Sequence, residues 1–229
     1  MAIDAKELLL YAITDRAWTN KCPLEEQIAL AISGGATIVQ LREKGISDGE
    51  YVRRAEAALK VCKSLGVKLI IDDNVKVALE SGADGVHVGA EDTPVCEIRG
   101  QVREYYLSKG MPASEAEERA RAFIVGATAK TVEQAKSAQS QGADYLGSGA
   151  VFPSPTKKNA IRITPQKLKE ITASVNIPVV AIGGITADNA SELARSGICG
   201  IAVVSAIFGA DDIAAASRHL RAVAEEVVS

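Results

Sequence analysis

Several short polar stretches that follow apolar runs carry the chemistry legible in this 229-residue sequence. Gln40-Leu41-Arg42-Glu43-Lys44 closes one such run. If it continues an extended strand, alternation sets Gln40, Arg42 and Lys44 on one side, so two cations and an amide face one region. Arginine and lysine placed this way suit phosphate oxygens, although a lone pair of cations is also what an ordinary surface carries. Asp72-Asp73-Asn74 and Gly89-Ala90-Glu91-Asp92 end two further runs. Neighbouring parallel strands lie about 4.8 Å apart, so one carboxylate from each end can share a cation. Magnesium typically takes one or two carboxylates and leaves its other positions to phosphate and water. The same aspartates would serve equally as helix N-caps.

The second half of the chain supplies anion sites of another kind. Residues Gly147 to Lys158 contain two prolines, Ser154, Thr156 and the Lys157-Lys158 pair, a stiff loop suited to meeting an anion. Ile182-Gly183-Gly184-Ile185-Thr186 and Val203-Val204-Ser205 follow, the latter running into a predicted short helix, AIFG. Glycines let backbone N–H groups approach a ligand, and a helix N-terminus adds positive potential. His87 falls inside an apolar run and reads as structural; His219 falls in the last helical pattern and reads as surface. Trp18 reads as a packing residue. No Ser/His/Asp or Cys/His arrangement is apparent, which disfavours hydrolysis through a covalent intermediate.

The elements that must position these residues alternate regularly. Apolar, β-rich runs occur at 8–14, 37–41, 68–71, 85–88, 123–127, 145–149, 178–182 and 200–204. Several are almost continuously apolar, as parallel strands covered on both faces should be. Between them lie patterns with apolar residues every three or four positions, such as 25–33, 51–65, 131–140, 164–174, 188–196 and 212–227. Glycines at 34–35, 66, 82, 142 and 197 stand where helices should end and suit left-handed caps. Eight such units predict an α/β fold, a (β/α)8 TIM barrel formed as one domain over residues 1–229; an open doubly wound sheet is the alternative. Working residues in such a barrel belong at strand C-termini, and phosphate cradles after strands seven and eight. One stretch, at about 94–122, is too long for a single barrel helix and is interrupted by Gly110 and Pro112. It reads as a helical insertion between strands four and five, with Ser114 and Glu117 as a capping box.

Composition sets the remaining bounds. Apolar residues make up 47% and charged residues 24% of the chain, with a formal net charge of −3. That balance argues against nucleic acid and anionic membrane as partners and leaves small molecules. Cys22, Cys62, Cys96 and Cys199 are scattered and read as buried free thiols. No secretory n-region or apolar run of about 18 residues is present, which predicts a cytoplasmic protein. The oligomeric state is not legible.

Taken together, QLREK at 40–44, DD at 72–73, GVHVGAED at 85–92, GAVFPSPTK at 149–157, AIGGI at 181–185 and VVSAI at 203–207 resemble one family, thiamine-phosphate synthase. The similarity runs in order along nearly the whole chain and skips only the insertion. It implies a Mg2+-assisted transferase that joins a pyrimidine methyl diphosphate to a thiazole phosphate. By position, the 40–44 segment with Lys157 would hold the pyrimidine diphosphate, Arg42, Lys44 and Lys157 acting catalytically. Asp73 and Asp92 would hold magnesium, and Thr128 would stand near the pyrimidine. Ser154, Pro155, Thr156, Gly184, Val204 and Ser205 would meet the thiazole phosphate. Asp72 stands where the family usually has Asn, Ala90 where it has Gln, Thr128 where it has Ser, and Ser154 where it has Thr. An extra carboxylate at Asp72 should weaken diphosphate binding unless it binds metal, protonates or turns away. A thiazole tautomerase-like relative, or a non-catalytic barrel that binds a thiazole or thiamine phosphate, would not need Arg42, Asp73, Asp92 and Lys157 together.

Overall fold

A computed structural model describes residues 3–18, 22–89, 91–153 and 161–229. Eight strands pair in chain order: β1 (Leu10–Ile13), β2 (Ile38–Leu41), β3 (Lys68–Asp72), β4 (Gly85–Val88), β5 (Ile124–Thr128), β6 (Tyr145–Gly149), β7 (Val179–Ile182) and β8 (Gly200–Val203). All neighbours are parallel and β8 returns to β1, so the sheet closes into a barrel. Each predicted run becomes one strand, with ends displaced by a residue or two. Parallel strands need crossovers, and these are α1 (Leu24–Ser33), α2 (Asp48–Ser64), α3 (Val75–Ser81), α4 (Val95–Ser108), α5 (Ala113–Ala122), α6 (Val132–Ser140) and α7 (Pro165–Ala173). After β8 come the short α8 (Ser205–Phe208) and α9 (Ile213–Val228).

Strand alternation divides the apolar residues into two shells. Leu10, Ala12, Val39, Leu41, Leu69, Ile71, Val86, Val125 and Leu146 point outward and pack under the helices. Tyr11, Ile13, Ile38, Ile70, Ile124, Tyr145, Val180 and Ala202 point inward and fill the barrel. The helices cover the outer shell, which explains why the strands read as continuously apolar.

The base of the barrel repeats one device. Leu10 N–H donates to Thr37 Oγ1 at 3.0 Å, Leu69 N–H to Asp84 Oδ2 at 2.8 Å, and Val125 N–H to Asp144 Oδ2 at 2.8 Å. In each case the polar residue entering an even-numbered strand satisfies an N–H of the strand before it, which would otherwise be buried without a partner. Gly82, at φ 73, supplies the left-handed cap that leads into the Ala83-Asp84 turn.

Two local expectations need correction. The 188–196 pattern forms only a 3-10 turn, Ala190–Leu193, because the Gly183-Gly184 turn and the left-handed Arg195 take up most of the short crossover. The insertion is the expected helix pair, α4 and α5, but Ser114 does not cap α5. Pro112 is the N-cap, without a side-chain hydrogen bond, and Glu117 pairs instead with Arg103 at 3.5 Å and Arg121 at 3.3 Å. The pair is tied to the barrel by Arg99. Its guanidinium donates to Ala120 O (2.7 Å), Phe123 O (3.1 Å), Gly142 O (3.0 Å) and Asp144 Oδ2 (3.0 Å). All four cysteines are free thiols, Cys62 buried and Cys96 exposed. Among the described residues no helix is long and apolar enough to cross a membrane.

Because Asp144 is buried and caps β5, Arg99→Ala leaves a carboxylate and three carbonyls short of a donor. Urea unfolding of this variant should show a loss of about 3 kcal/mol. A change below about 0.5 kcal/mol, the range of ordinary surface substitutions, would mean that Arg99 does not anchor the insertion.

Candidate active site

The C-terminal ends of β1 to β4 bring one charge cluster together. Arg42 and Lys44 leave β2 on the side expected from alternation. Arg42 lies 3.4 Å from Asp15 and 3.5 Å from Asp72, and Lys44 lies 3.4 Å from Asp72 while hydrogen-bonding directly to Asp73. The Arg42 backbone N–H donates to Thr14 Oγ1 at 3.0 Å, fastening the end of β2 to that of β1. Asp73 sits just past β3 in the left-handed region, φ 62, which Asp tolerates better than most residues. That turn brings its carboxyl group into hydrogen-bond contact with Asp92 from the loop after β4. Asp92 in turn accepts from Gly89 N–H at 2.7 Å. The helix N-cap role falls to Asn74, whose side chain accepts from Val77 N–H, so Asp73 is left for other work.

The electrostatics of the cluster follow from crowding. Burial, and then the neighbouring Asp73 charge, push the Asp72 carboxyl up to about 6. Burial also disfavours the charged forms of Asp73 and Lys44, but their mutual hydrogen bond outweighs it, holding Asp73 low and Lys44 high. Asp92 is raised by burial and by Asp73. Two cations thus stand among four carboxylates, Asp15, Asp72, Asp73 and Asp92. Among the described residues the cluster therefore carries a surplus of negative charge. The touching Asp73 and Asp92 carboxyls are hard oxygen donors of the kind a divalent cation takes.

Two members of the 40–44 segment turn elsewhere. Leu41 is fully buried in the outer shell. Glu43 is also buried and pairs with Arg54 at 3.0 Å and Arg16 at 3.5 Å. The Leu41 and Glu43 side chains therefore point away from the region that Gln40, Arg42 and Lys44 face. Asp15, Thr14 and Tyr51, whose hydroxyl donates to Leu41 O at 2.8 Å, are neighbours of the cluster that the sequence reading missed. The position of Thr14-Asp15 just after the first apolar run was the signal available.

On the opposite arc, the loop leaving β6 is laced to the end of β7. Val151 N–H donates to Ile182 O and Phe152 N–H to Gly183 O, each at 3.0 Å. A Cβ on Gly184 would fall 2.2 Å from Pro153 O, and Gly183 and Gly184 have φ 100 and 68, so both positions demand glycine. Val204 and Ser205 open α8 beside this turn. Ser154, Pro155, Thr156, Lys157 and Ala90 lie outside the described residues.

The floor between the two arcs is polar. Thr128 ends β5 and faces inward, where His87 Nε2 lies 3.1 Å from its hydroxyl; His87 Nδ1 lies 3.1 Å from Tyr145 OH. Burial holds the imidazole down to about 4, so it is neutral near pH 7. His219, as expected, is exposed.

Comparison with known proteins agrees with this geometry. The sequence matches the family described as thiamine monophosphate synthase over residues 10–108 and 107–207, two stretches that meet within α4. It is 40% identical over 222 residues to thiamine-phosphate synthase of Pyrococcus furiosus, covering 97% of each chain. The chain belongs to the thiamine-phosphate synthase family. As a member of that family it is a transferase of thiamine biosynthesis. The solved structure of a thiamine phosphate pyrophosphorylase from Pyrococcus furiosus superposes with a TM-score of 0.82 at 38% identity, covering 98% of this chain and 99% of that one. A rice protein described as a probable thiamine biosynthetic bifunctional enzyme, chloroplastic, is 40% identical over 95% of this chain, which spans 37% of the rice protein's length.

Two outcomes follow from these charges. Asp72 competes with an incoming anion for Arg42 and Lys44, so Asp72→Asn should bind inorganic diphosphate about fivefold more tightly by calorimetry in the presence of magnesium. Unchanged or weaker binding would show that Asp72 assists the anion. His87 takes up a proton only near pH 4 in the folded barrel but near 6.5 in the unfolded chain. Its contribution, at most about 3 kcal/mol, is therefore present above pH 6.5 and is lost as pH falls through 4. Asp72 acts in the opposite sense. The stability difference between wild type and His87→Gln should accordingly shrink from pH 7 to pH 4, and a pH-independent difference would contradict a neutral buried imidazole.

Proposed function

We propose that the chain couples 4-amino-2-methyl-5-(diphosphooxymethyl)pyrimidine with a hydroxyethylthiazole phosphate, giving thiamine phosphate and diphosphate. The observation that carries this reading is the pairing of two anion-binding arcs on one mouth. Arg42 and Lys44 stand beside the Asp73–Asp92 pair on one arc, and the Gly183-Gly184 turn with Ser205 lies on the other. The first suits a diphosphate accompanied by a divalent cation; the second suits a monophosphate.

The bond between the pyrimidine methylene carbon and the diphosphate oxygen breaks, and its electron pair leaves with diphosphate. The aminopyrimidine stabilises the resulting carbocation, and the thiazole nitrogen lone pair forms the new C–N bond. That nitrogen carries no proton, so no general base is needed, which accords with His87 being neutral and bonded to two hydroxyls. Arg42, Lys44 and Lys157 would hold the leaving oxygens through charge-assisted hydrogen bonds. Asp73 and Asp92 would hold Mg2+, which when bound supplies Lewis-acid charge at the diphosphate. Gln40 and Thr128 would orient the pyrimidine. Ser154, Pro155, Thr156, Gly184, Val204 and Ser205 would receive the thiazole phosphate.

The purified protein should therefore form thiamine phosphate and inorganic diphosphate from the two substrates only when Mg2+ is added. Asp73→Ala should lower kcat/KM by at least about a hundredfold while keeping the wild-type melting temperature. Absence of product from folded protein with any divalent cation would overturn the assignment. Turnover of a thiazole phosphate without diphosphate release would favour the tautomerase reading.

A further inference from the structure

Beneath the mouth, five side chains form a continuous hydrogen-bonded chain across the barrel interior. Gln40 Nε2 donates to Tyr11 OH at 2.9 Å, Tyr11 OH meets Tyr145 OH at 2.8 Å, and Tyr145 OH meets His87 Nδ1 at 3.1 Å. His87 Nε2 then meets Thr128 Oγ1 at 3.1 Å. The chain runs through β2, β1, β6, β4 and β5, and both tyrosines are essentially inaccessible to solvent. Space has been cleared for it. A Cβ on Gly126 would lie 2.2 Å from the Tyr145 ring, and one on Gly147 would lie 3.1 Å from the His87 ring. Buried phenols with raised pKa values and a neutral imidazole have no place in a reaction that moves no proton at the thiazole nitrogen, so another task must account for them.

Donor and acceptor bookkeeping gives the chain a direction. Each hydroxyl has one proton, and a neutral imidazole has one N–H and one lone pair. Because Gln40 gives a proton to Tyr11, the Tyr11 proton must go to Tyr145, and the Tyr145 proton to His87 Nδ1. The imidazole proton then sits on Nε2 and goes to Thr128. In this order both tyrosine protons and the imidazole proton find an acceptor, as the interior requires. If Tyr145 donated to Tyr11 instead, the Tyr11 proton would have no acceptor in the chain unless the Gln40 amide also turned over. The two ends are therefore linked. In this polarity Gln40 keeps Oε1 as an acceptor and Thr128 keeps its hydroxyl proton as a donor; reversing one end reverses the other.

We propose that Tyr11, Tyr145 and His87 are positioning residues. Through this relay they set the hydrogen-bond polarity of the pocket floor, an acceptor at Gln40 and a donor at Thr128, and so select an aminopyrimidine over its oxo counterpart. The inference rests on the proposed pyrimidine substrate. An amino group is a donor that suits Gln40 Oε1, and an unprotonated ring nitrogen is an acceptor that suits the Thr128 hydroxyl. A 4-oxo ring carries a carbonyl and a ring N–H in their stead, so it meets each end with the wrong sense unless the whole chain reverses. Mismatch of this kind leaves buried polar groups unpaired, which discriminates more sharply than shape does.

The test combines a spectroscopic reading with a binding comparison. In 15N-histidine-labelled protein carrying His219→Gln, the remaining imidazole, one of the two in the sequence, should be the Nε2–H tautomer in the absence of ligand. Tyr145→Phe and Tyr11→Phe remove a hydroxyl without removing the ring. Each should raise the dissociation constant for the aminopyrimidine diphosphate about tenfold and cut its preference over the 4-oxo analogue by a similar factor. The KM for the thiazole phosphate should stay as in wild type, which a general loosening of the barrel would not spare. An Nδ1–H ring or an imidazolium overturns the relay whatever the activity. An Nε2–H ring with unaltered preference in both variants overturns its part in recognition, as does failure of the aminopyrimidine diphosphate to bind. Failure of the proposed reaction shows separately, as binding of the aminopyrimidine diphosphate without thiamine phosphate formation.

Discussion

Charge balance at the end of β3 organises the mouth of this barrel. Asp72 and Asp73 are consecutive, and two adjacent carboxylates at a partly buried strand end would repel strongly without compensation. Lys44 bonds to both and Arg42 to the first, so the C-terminal ends of β2 and β3 are held by one ion network. Asp73 reaches Asp92 because its left-handed backbone turns it toward β4. Three strand ends and five charged side chains therefore form a single unit, and removing any one charge leaves the others unbalanced.

This network also defines what can bind. Among the described residues its carboxylates outnumber its cations, and such carboxylates are hard oxygen donors of the kind a divalent cation takes. Asp72 is the unusual member. It pairs with both cations, and burial, followed by the neighbouring Asp73 charge, raises its carboxyl to about 6. Anion binding at this arc is thus an exchange of one negative partner for another. Among the described residues the glycine turn after β7 has no carboxylate paired to it, and the loop after β6 is bonded to it through backbone groups.

The supporting structure uses the same alternation for several purposes. Inward positions hold aliphatic residues low in the barrel and polar ones near the mouth, with the Tyr11–Tyr145 pair between. Outward positions seal the helices onto the barrel. At the base, Thr37, Asp84 and Asp144 close N–H groups that the strand pairing leaves over, and Asp144 extends this role through Arg99 to the inserted helices. The insertion is thereby part of the hydrogen-bonded framework.

Much of this was readable in the chain itself. Apolar runs and punctuating glycines determine the eight strands and their order, because periodicity and left-handed caps are local properties. The same holds for Arg42, Lys44, Asp73 and Asp92, each placed at a strand end by the alternation of its own segment. Misreadings arose where a neighbour decided. Ser114 is displaced as a cap by Pro112, and the 188–196 pattern is overruled by the crossover available to it. What only the tertiary structure decided is which distant side chains meet: Asp15 with Arg42, Asp73 with Asp92, and Gln40 with Thr128 through two tyrosines and a histidine. No local spacing encodes these contacts, because they depend on the register between neighbouring strands and, for the tyrosine chain, on the space left inside the closed barrel.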